Sequence, residues 1–401
     1  MKSVLFYTHF MKFGGAEKVC IQYMQGLVDR GYKVDLIIDF DMGKEGNAFE
    51  YTIPKEVCYQ YIKSQKISNI TYKLRTLGKK YKLLNILLYI CMISTDFYYY
   101  HTKVKKIVKG GEYDWTISFY QFLPAYLTKI KSSKHIIWLH GSVEHFFGGI
   151  TKLYKRSFGK KLDKYDYIVT IANEMKGQLK EYYPVILKEK VKRIYNPFDF
   201  EEIETKADDY LGISEIEVSL LKDNFICTVT RLDEHQKDIT ILIKAYKKLY
   251  DEKRISCKLY IIGDGPHKSI LEHLVNEYKL EEFILFLGKK INPYIWMKHA
   301  DIFVLSSKFE GLPTVLIEAM AVETFIISAN CKTGPKEILM NGECGELFEV
   351  GNIVALANKL EYALNHKEYR ESKVLCATKS LNRFDFVKVI PELEDILKEN
   401  Q

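Results

Sequence analysis

A chain of 401 residues, 47% of them hydrophobic and 28% charged, is long for one core and suits two globular domains of about 200 residues. With 9 Pro and 23 Gly it is neither fibrous nor low-complexity, and its eight scattered cysteines show no C-x-x-C or zinc spacing, which predicts reduced thiols in a cytosolic protein. The net charge of +7 is local: residues 63–109 hold eleven Lys and Arg against one acid, Asp96, so this stretch carries +10 and the rest of the chain −3.

Met1-Lys2-Ser3 runs directly into the apolar stretch Ser3–Thr8, which reads as a strand and not as a cleavable signal peptide. His9 to Gly14 form a loop, Gly15–Val28 an amphipathic helix stopped by Gly31, and Lys33–Ile38 a second strand. This is a Rossmann-type start, in which Gly14 and Gly15 let backbone approach a phosphate at a helix N-terminus. A glycine pair after a strand also serves as a plain tight turn.

Inside the basic stretch, Leu83–Ile93 is an apolar run of eleven residues, too short to span a bilayer. Lysines precede it, and Phe97–Tyr100 with a second lysine cluster follow. That pattern suits a segment lying at an anionic membrane surface, with Lys79, Lys80, Lys103, Lys105 and Lys106 as its patch. A core helix with a solvated basic face is the structural alternative. Nucleic acid is not expected, because no binding motif accompanies the charge.

Tyr113–Ser118 and Lys134–Leu139 read as further strands, the latter ending in His140-Gly141-Ser142. His140 falls beyond a strand's carboxyl end, where open α/β sheets bind ligands, although a turn-capping histidine fits the same place. His145 has no comparable support. Asp166–Thr170 is another strand, a helix starts near Asn173, and Val191–Tyr195 leads to the turn signal Asn196-Pro197. The domain division falls there: 1–197 with a final helix at about 380–401, and 198–379.

Phe225–Thr230 opens the second sheet, followed by a loop carrying Arg231 and Lys237 and a helix to about Tyr250. Two cations leaving one strand end suit a diphosphate, Arg as a bidentate donor and Lys as a point charge. Lys258 to Gly263-Asp-Gly-Pro266 is a strand and turn, and Phe283–Gly288 a strand followed by Lys289 to Pro293. Asp301 to Met320 then reads as a buried strand (Ile302–Leu305), a polar loop and a helix opening near Pro313. The N–H groups of Thr314 and Val315 are left to point out of the helix start toward an anion. Glu310 before the helix and Glu318 within it are suited to sugar or ribose hydroxyls, since carboxylates only accept hydrogen bonds. A strand at Thr324–Ser328, a turn at Gly334-Pro335, and helices at Val354–Leu364 and Phe384–Leu397 complete the chain.

Glu310-Gly-Leu-Pro-Thr with Glu318, in this strand-loop-helix setting, resembles the motif of the retaining family 4 glycosyltransferases of bacterial surface-polysaccharide or lipid-linked-oligosaccharide type. Gly-Gly-Ala-Glu17, His140, Asn196-Pro197, Arg231 with Lys237, and Gly263-Asp-Gly-Pro follow in the family's order. Residues 40–110 are not covered, and Thr230 and Asp238 stand where the family usually has Gly.

The resemblance implies an α/β protein of GT-B fold: two Rossmann-like domains facing across a cleft, with the C-terminal helix crossing back. It also implies metal-independent, retaining transfer of a hexose or N-acetylhexosamine from a nucleotide diphosphate sugar, with uridine the expected base and no cofactor. Glu310, His140, Arg231 and Lys237 are the implied catalytic set. Gly14, Gly15, Gly263, Ile291, Gly311, Leu312, Thr314, Val315 and Glu318 are the implied donor site. The expected partners are the donor, a glycan or lipid-linked acceptor, and an anionic membrane surface at the inner face of the plasma membrane. An epimerase of the same fold and a non-catalytic subunit of a glycosylation complex are the rival readings.

Overall fold

The computed structural model describes residues 2–12, 14–80, 94–95, 97–110, 113–119, 133–142, 158–184, 186 and 188–399. The Leu83–Ile93 run, Asp96 and His145 lie outside the described residues.

Strands β1 (Ser3–Thr8), β2 (Lys33–Phe40), β3 (Cys58–Lys63), β4 (Trp115–Ser118), β5 (Lys134–Leu139), β6 (Tyr167–Thr170) and β7 (Val191–Arg193) form one sheet in the order 3-2-1-4-5-6-7. A second sheet takes β8 (Phe225–Val229), β9 (Lys258–Ile262), β10 (Ile284–Gly288), β11 (Ile302–Leu305), β12 (Ile326–Ala329) and β13 (Glu346–Phe348) in the order 10-9-8-11-12-13. Among the described residues every ladder is parallel. Parallel sheets need both faces covered, and β1 and β11 are accordingly buried along their whole length. The strand order reverses beside β1 and again beside β8, so each sheet has its ligand-binding crevice at the carboxyl end of those strands.

Six helices position the site: α1 (Gly15–Val28), α2 (Gln65–Lys80), α3 (Asn173–Tyr182), α4 (Ile239–Asp251), α5 (Thr314–Ala321) and α6 (Phe386–Lys398). Helix α6 buries Val389, Ile390, Leu393, Ile396 and Leu397, a stripe at helical spacing. It lays that stripe on the first sheet's side of the molecule. Lys2 Nζ and Trp115 Nε1 donate to the Leu397 carbonyl at 2.6 and 3.2 Å, and Ile390 fills the space where a β-carbon of Gly26 on α1 would stand. The two passages between the sheets run side by side: Phe198 N–H donates to Phe384 O, and Phe386 N–H to Phe198 O, both at 2.9 Å.

Two expectations are corrected. Cys344 and Cys376 are joined in a disulfide, with Cα atoms 5.0 Å apart across 32 residues of sequence. The turn after Met340 packs on the helix Lys367–Ser380, where Lys373 Nζ donates to Gly342 O, and this brings the two thiols together. Lys63, counted in the basic stretch, is fully buried against Asp39. Strand edges also shift slightly: β2 continues to Phe40, and β4 begins at Trp115 instead of Tyr113. No helix among the described residues is long and apolar enough to cross a membrane.

Candidate active site

The crevice is built from loops that leave β1, β5, β8 and β11. Helix α1 begins directly at Gly15, with no side chain capping it at Gly14, so its first N–H groups have no partner within the helix. Helix α5 begins at Thr314 after Pro313, again without a side-chain cap. The two helix starts face each other, and a β-carbon on Gly15 would lie 3.6 Å from Thr314 Oγ1. Two partly positive helix ends converging on one point make an anion site. Gly311 packs on the backbone of His140 with no room for a β-carbon, which brings the β11 loop against the end of β5.

Glu310 sits where these loops meet. Lys237 Nζ lies 2.5 Å from Glu310 Oε1, and the two side chains are 16% and 8% exposed. Gln236 joins them: its Nε2 donates to Glu310 Oε2 at 3.4 Å and to Phe309 O at 3.3 Å, while its Oε1 accepts from Arg231 Nη2 at 3.3 Å. Arg231 also pairs with Asp233 at 3.0 Å, and its side chain is 61% exposed, an open guanidinium at the crevice rim. Backbone ties hold this loop to β11: Ser306 Oγ donates to Lys237 O, and Lys308 N–H to Gln236 O, both at 2.8 Å. Gln236 is the residue that sequence reading missed. Its place between Arg231 and Lys237 was visible, but a glutamine in a polar loop carries no signal of its own.

One of the two departures from the family pattern, Asp238, has a local explanation. Asp238 adopts the left-handed conformation (φ 48°) that a glycine would supply, as short polar side chains can. Gly263 (φ 138°) closes on the Thr230 carbonyl, leaving no space for a β-carbon. Gly263→Ala is expected to cost at least 2 kcal/mol, read as a lower midpoint in urea unfolding.

His140 packs against Phe119 with ring centroids 4.5 Å apart and the ring planes tilted by 50°. Burial pushes its pKa down to about 3, with only the Phe119 backbone opposing, so the imidazole is neutral at physiological pH. Burial likewise raises the pKa of Glu318, against which the Lys18 ammonium acts. Lys18 Nζ donates to Tyr294 OH at 2.8 Å, so helix α1 reaches across to the second sheet's side beside Glu318. Leu312 is buried, Val315 is half-buried, and Ile291 is 95% exposed, with its neighbour Lys290 paired to Glu217. Of the basic residues, Lys79 and Lys80 end α2, Lys105 and Lys106 open the short helix Lys105–Gly110, and Lys103 Nζ donates to Ile62 O at 3.0 Å.

Two facing parallel α/β sheets with paired helix starts, two cations and a buried glutamate between them define the GT-B class of architecture. The chain matches the family Glycosyltransferase Family 4 over residues 13–202 and Glycosyl transferases group 1 over residues 213–374. It belongs to glycosyltransferase family 4. Among curated relatives, it is 35% identical over 204 residues (51% of this chain, 52% of the relative) to the Campylobacter jejuni N-acetylgalactosamine-N,N'-diacetylbacillosaminyl-diphospho-undecaprenol 4-alpha-N-acetylgalactosaminyltransferase. It is 32% identical over 219 residues (54% and 52%) to an uncharacterized glycosyltransferase of Methanocaldococcus jannaschii. The chain thus spans about half the length of these relatives. Among solved structures, Anabaena HepE in complex with UDP superposes with a TM-score of 0.75 at 19% identity, covering 100% of both chains.

Proposed function

We propose that the protein transfers a hexose or N-acetylhexosamine, with retention and without a metal, from a uridine diphosphate sugar to a membrane-associated glycan or lipid-linked acceptor. The observation carrying this reading is the convergence of the α1 and α5 starts on a point flanked by Lys237 and Glu310. The bond from the sugar's anomeric carbon to the diphosphate breaks with its electrons going to the phosphate oxygen. Lys237, Arg231 and the amides of Gly15, Thr314 and Val315 supply the positive potential that this leaving group needs. Glu310 holds the sugar's hydroxyls, neutral His140 lies beside the ring, and Glu318 takes the ribose. The acceptor oxygen attacks on the face the diphosphate leaves, and its proton passes to the departing phosphate oxygen.

The choice of uridine and of a polyprenyl-linked acceptor is supported by the UDP bound to HepE and by the name of the Campylobacter relative. UDP should raise the melting temperature by several degrees at 100 times its Kd. Absence of any shift with UDP or its sugars would remove the donor assignment.

Glu17 gives this site a pH dependence. Its carboxylate folds over Gly14, and burial raises its pKa to about 6, with its own backbone N–H and Lys12 acting the other way. Above that value the ionised group repels a diphosphate at the α1 start; below it the repulsion is gone. Glu17→Gln is therefore expected to tighten UDP binding several-fold at about pH 8 and to leave it unchanged at about pH 5 by calorimetry.

For the membrane, α2 contains Lys66, Lys73, Arg75, Lys79 and Lys80 with no acid, and Phe97 and Tyr98 are each 61% exposed nearby in sequence. Each lysine near an anionic surface is worth about 1 kcal/mol. Changing Lys66, Lys73, Lys79, Lys80, Lys105 and Lys106 to Gln should abolish co-sedimentation with phosphatidylglycerol vesicles; unchanged binding would end the membrane assignment.

A further inference from the structure

Glu337 stands on the second sheet's side of the crevice, in the single turn Pro335–Ile338, and its carboxylate reaches the first sheet's side. Oε2 accepts from the Asn173 N–H at 2.8 Å, while Oε1 accepts from Asn173 Nδ2 at 2.8 Å and from the Tyr195 hydroxyl at 2.6 Å. Asn173 is the first residue of α3, and Ala172 before it has no side chain that could cap the helix. The opposite lobe therefore supplies the acceptor and the negative charge that this helix start lacks. Tyr195 lies between β7 and Asn196-Pro197, where the chain leaves the first sheet. Burial and the hydrogen bond to Glu337 raise its pKa, so the hydroxyl keeps the proton it donates.

Both ends of this contact are fixed. The Arg193 guanidinium stands 4.0 Å from the Tyr195 ring centre and pairs with Glu392 of α6 at 3.3 Å, and Phe384 meets the same ring edge-on at 4.8 Å. On the other side, Arg383 Nη1 and Nη2 donate to the Glu337 and Ile338 carbonyls at 3.1 and 2.5 Å. Gly334, three residues before Glu337, packs on Pro313 and the Gly311 carbonyl with no room for a β-carbon, and Thr333 Oγ1 donates to Glu310 O. A displacement of Glu337 is thus passed to the Glu310 loop and the α5 start. A polar cavity of about 500 Å³ opens beside the contact, lined in part by Asn173, Tyr195, Lys336, Glu337 and Arg383. Apolar packing does not close this flank, so its hydrogen bonds set the angle between the lobes.

We infer that Glu337 is a positioning residue that holds the two lobes at the angle where the α1 and α5 starts meet, with Asn173 and Tyr195 as its partners. The angle is measurable without substrate; its effect on binding rests on the donor reading above, in which the diphosphate touches both lobes. Without the contact UDP has to bring the lobes together, and its apparent affinity falls with the fraction of molecules already closed. Full-length Glu337→Ala should show a larger radius of gyration by small-angle scattering, returning to the wild-type value at saturating UDP. It should bind UDP about tenfold more weakly by calorimetry. Glu337→Gln keeps a carbonyl oxygen for the two side-chain donors, and Tyr195→Phe keeps the ring, so each should lose only about threefold. Adding Tyr195→Phe to Glu337→Ala should cost nothing more, because the acceptor of that hydroxyl is already gone.

A radius and a UDP affinity that both stay at wild type in Glu337→Ala, a change in only one of them, or losses that add in the double variant overturn the inference. If Glu337→Ala does not fold, Glu337→Gln and Tyr195→Phe decide by the same two measurements. A wild type that does not bind UDP overturns the donor reading, and the radii of the free proteins then decide the positioning role by themselves.

Discussion

Lys237→Ala is expected to lower kcat/KM for sugar transfer by about 100- to 1,000-fold, the usual effect of removing one preorganised charge from a departing anion. The same change should weaken UDP binding, because Lys237 is read as a diphosphate ligand. It also leaves Glu310, only 8% exposed, with Gln236 as its remaining side-chain donor among the described residues. Glu310→Gln should lose transfer to a similar degree, but UDP, which lacks the sugar, should bind it as tightly as the wild type. Calorimetry with UDP thus separates the two residues even though turnover does not. Because the two side chains touch at 2.5 Å, the double variant should fall well short of the sum of the single losses. Transfer that survives both single substitutions would remove the enzymatic reading.

Lys63→Met should destabilise the chain by about 3–5 kcal/mol, since it takes the lysine away from a fully buried carboxylate. Chemical denaturation would show this as a lower midpoint for the first sheet's side of the molecule. Adding Asp39→Leu to that variant should recover much of the loss, because an apolar pair of similar volume carries no desolvation cost. The pH dependence has a definite sign. Burial works to raise the Asp39 pKa, but His9 and Lys63 together outweigh it and hold the folded-state value below that of a free aspartate. The unfolded chain therefore binds this proton more readily, and the stabilisation is complete above about pH 4 and fades as the pH falls below it. In Lys63→Met that acid-side slope should flatten. An unaltered slope would mean that Lys63 does not govern Asp39.

The two experiments address different kinds of information. The placement of Lys237 and Glu310 was legible in the sequence: each stands in the loop that leaves a buried strand, β8 or β11, at its carboxyl end. For the same reason β1, α1, β5 and β11 have the bounds that their apolar periodicity predicts. A buried parallel strand is a local statement, made by five or six adjacent side chains and the glycines or charges that bound them. The family motifs are local in the same sense, which is why the two-sheet architecture could be read before any coordinates.

Other features depend on which distant segments meet. Lys63 looked like one more charge in a basic stretch, and only the register of β3 beside β2 turns it inward to Asp39. Cys344 and Cys376 have no informative spacing; a turn packed on a helix makes them a pair. Gln236 acquires its role by lying between Arg231 and a glutamate 74 residues further along the chain. By itself the sequence determined most of the strands and helix starts and the charges that flank them, because these follow from neighbouring residues and backbone geometry; the half-exposed edge strand β3, the short β13 and the basic helix α2 carried no such local signal. Which charges are buried, paired or left open in the crevice was decided by the tertiary structure alone, since desolvation and ion pairing act through space between segments whose separation no local pattern encodes.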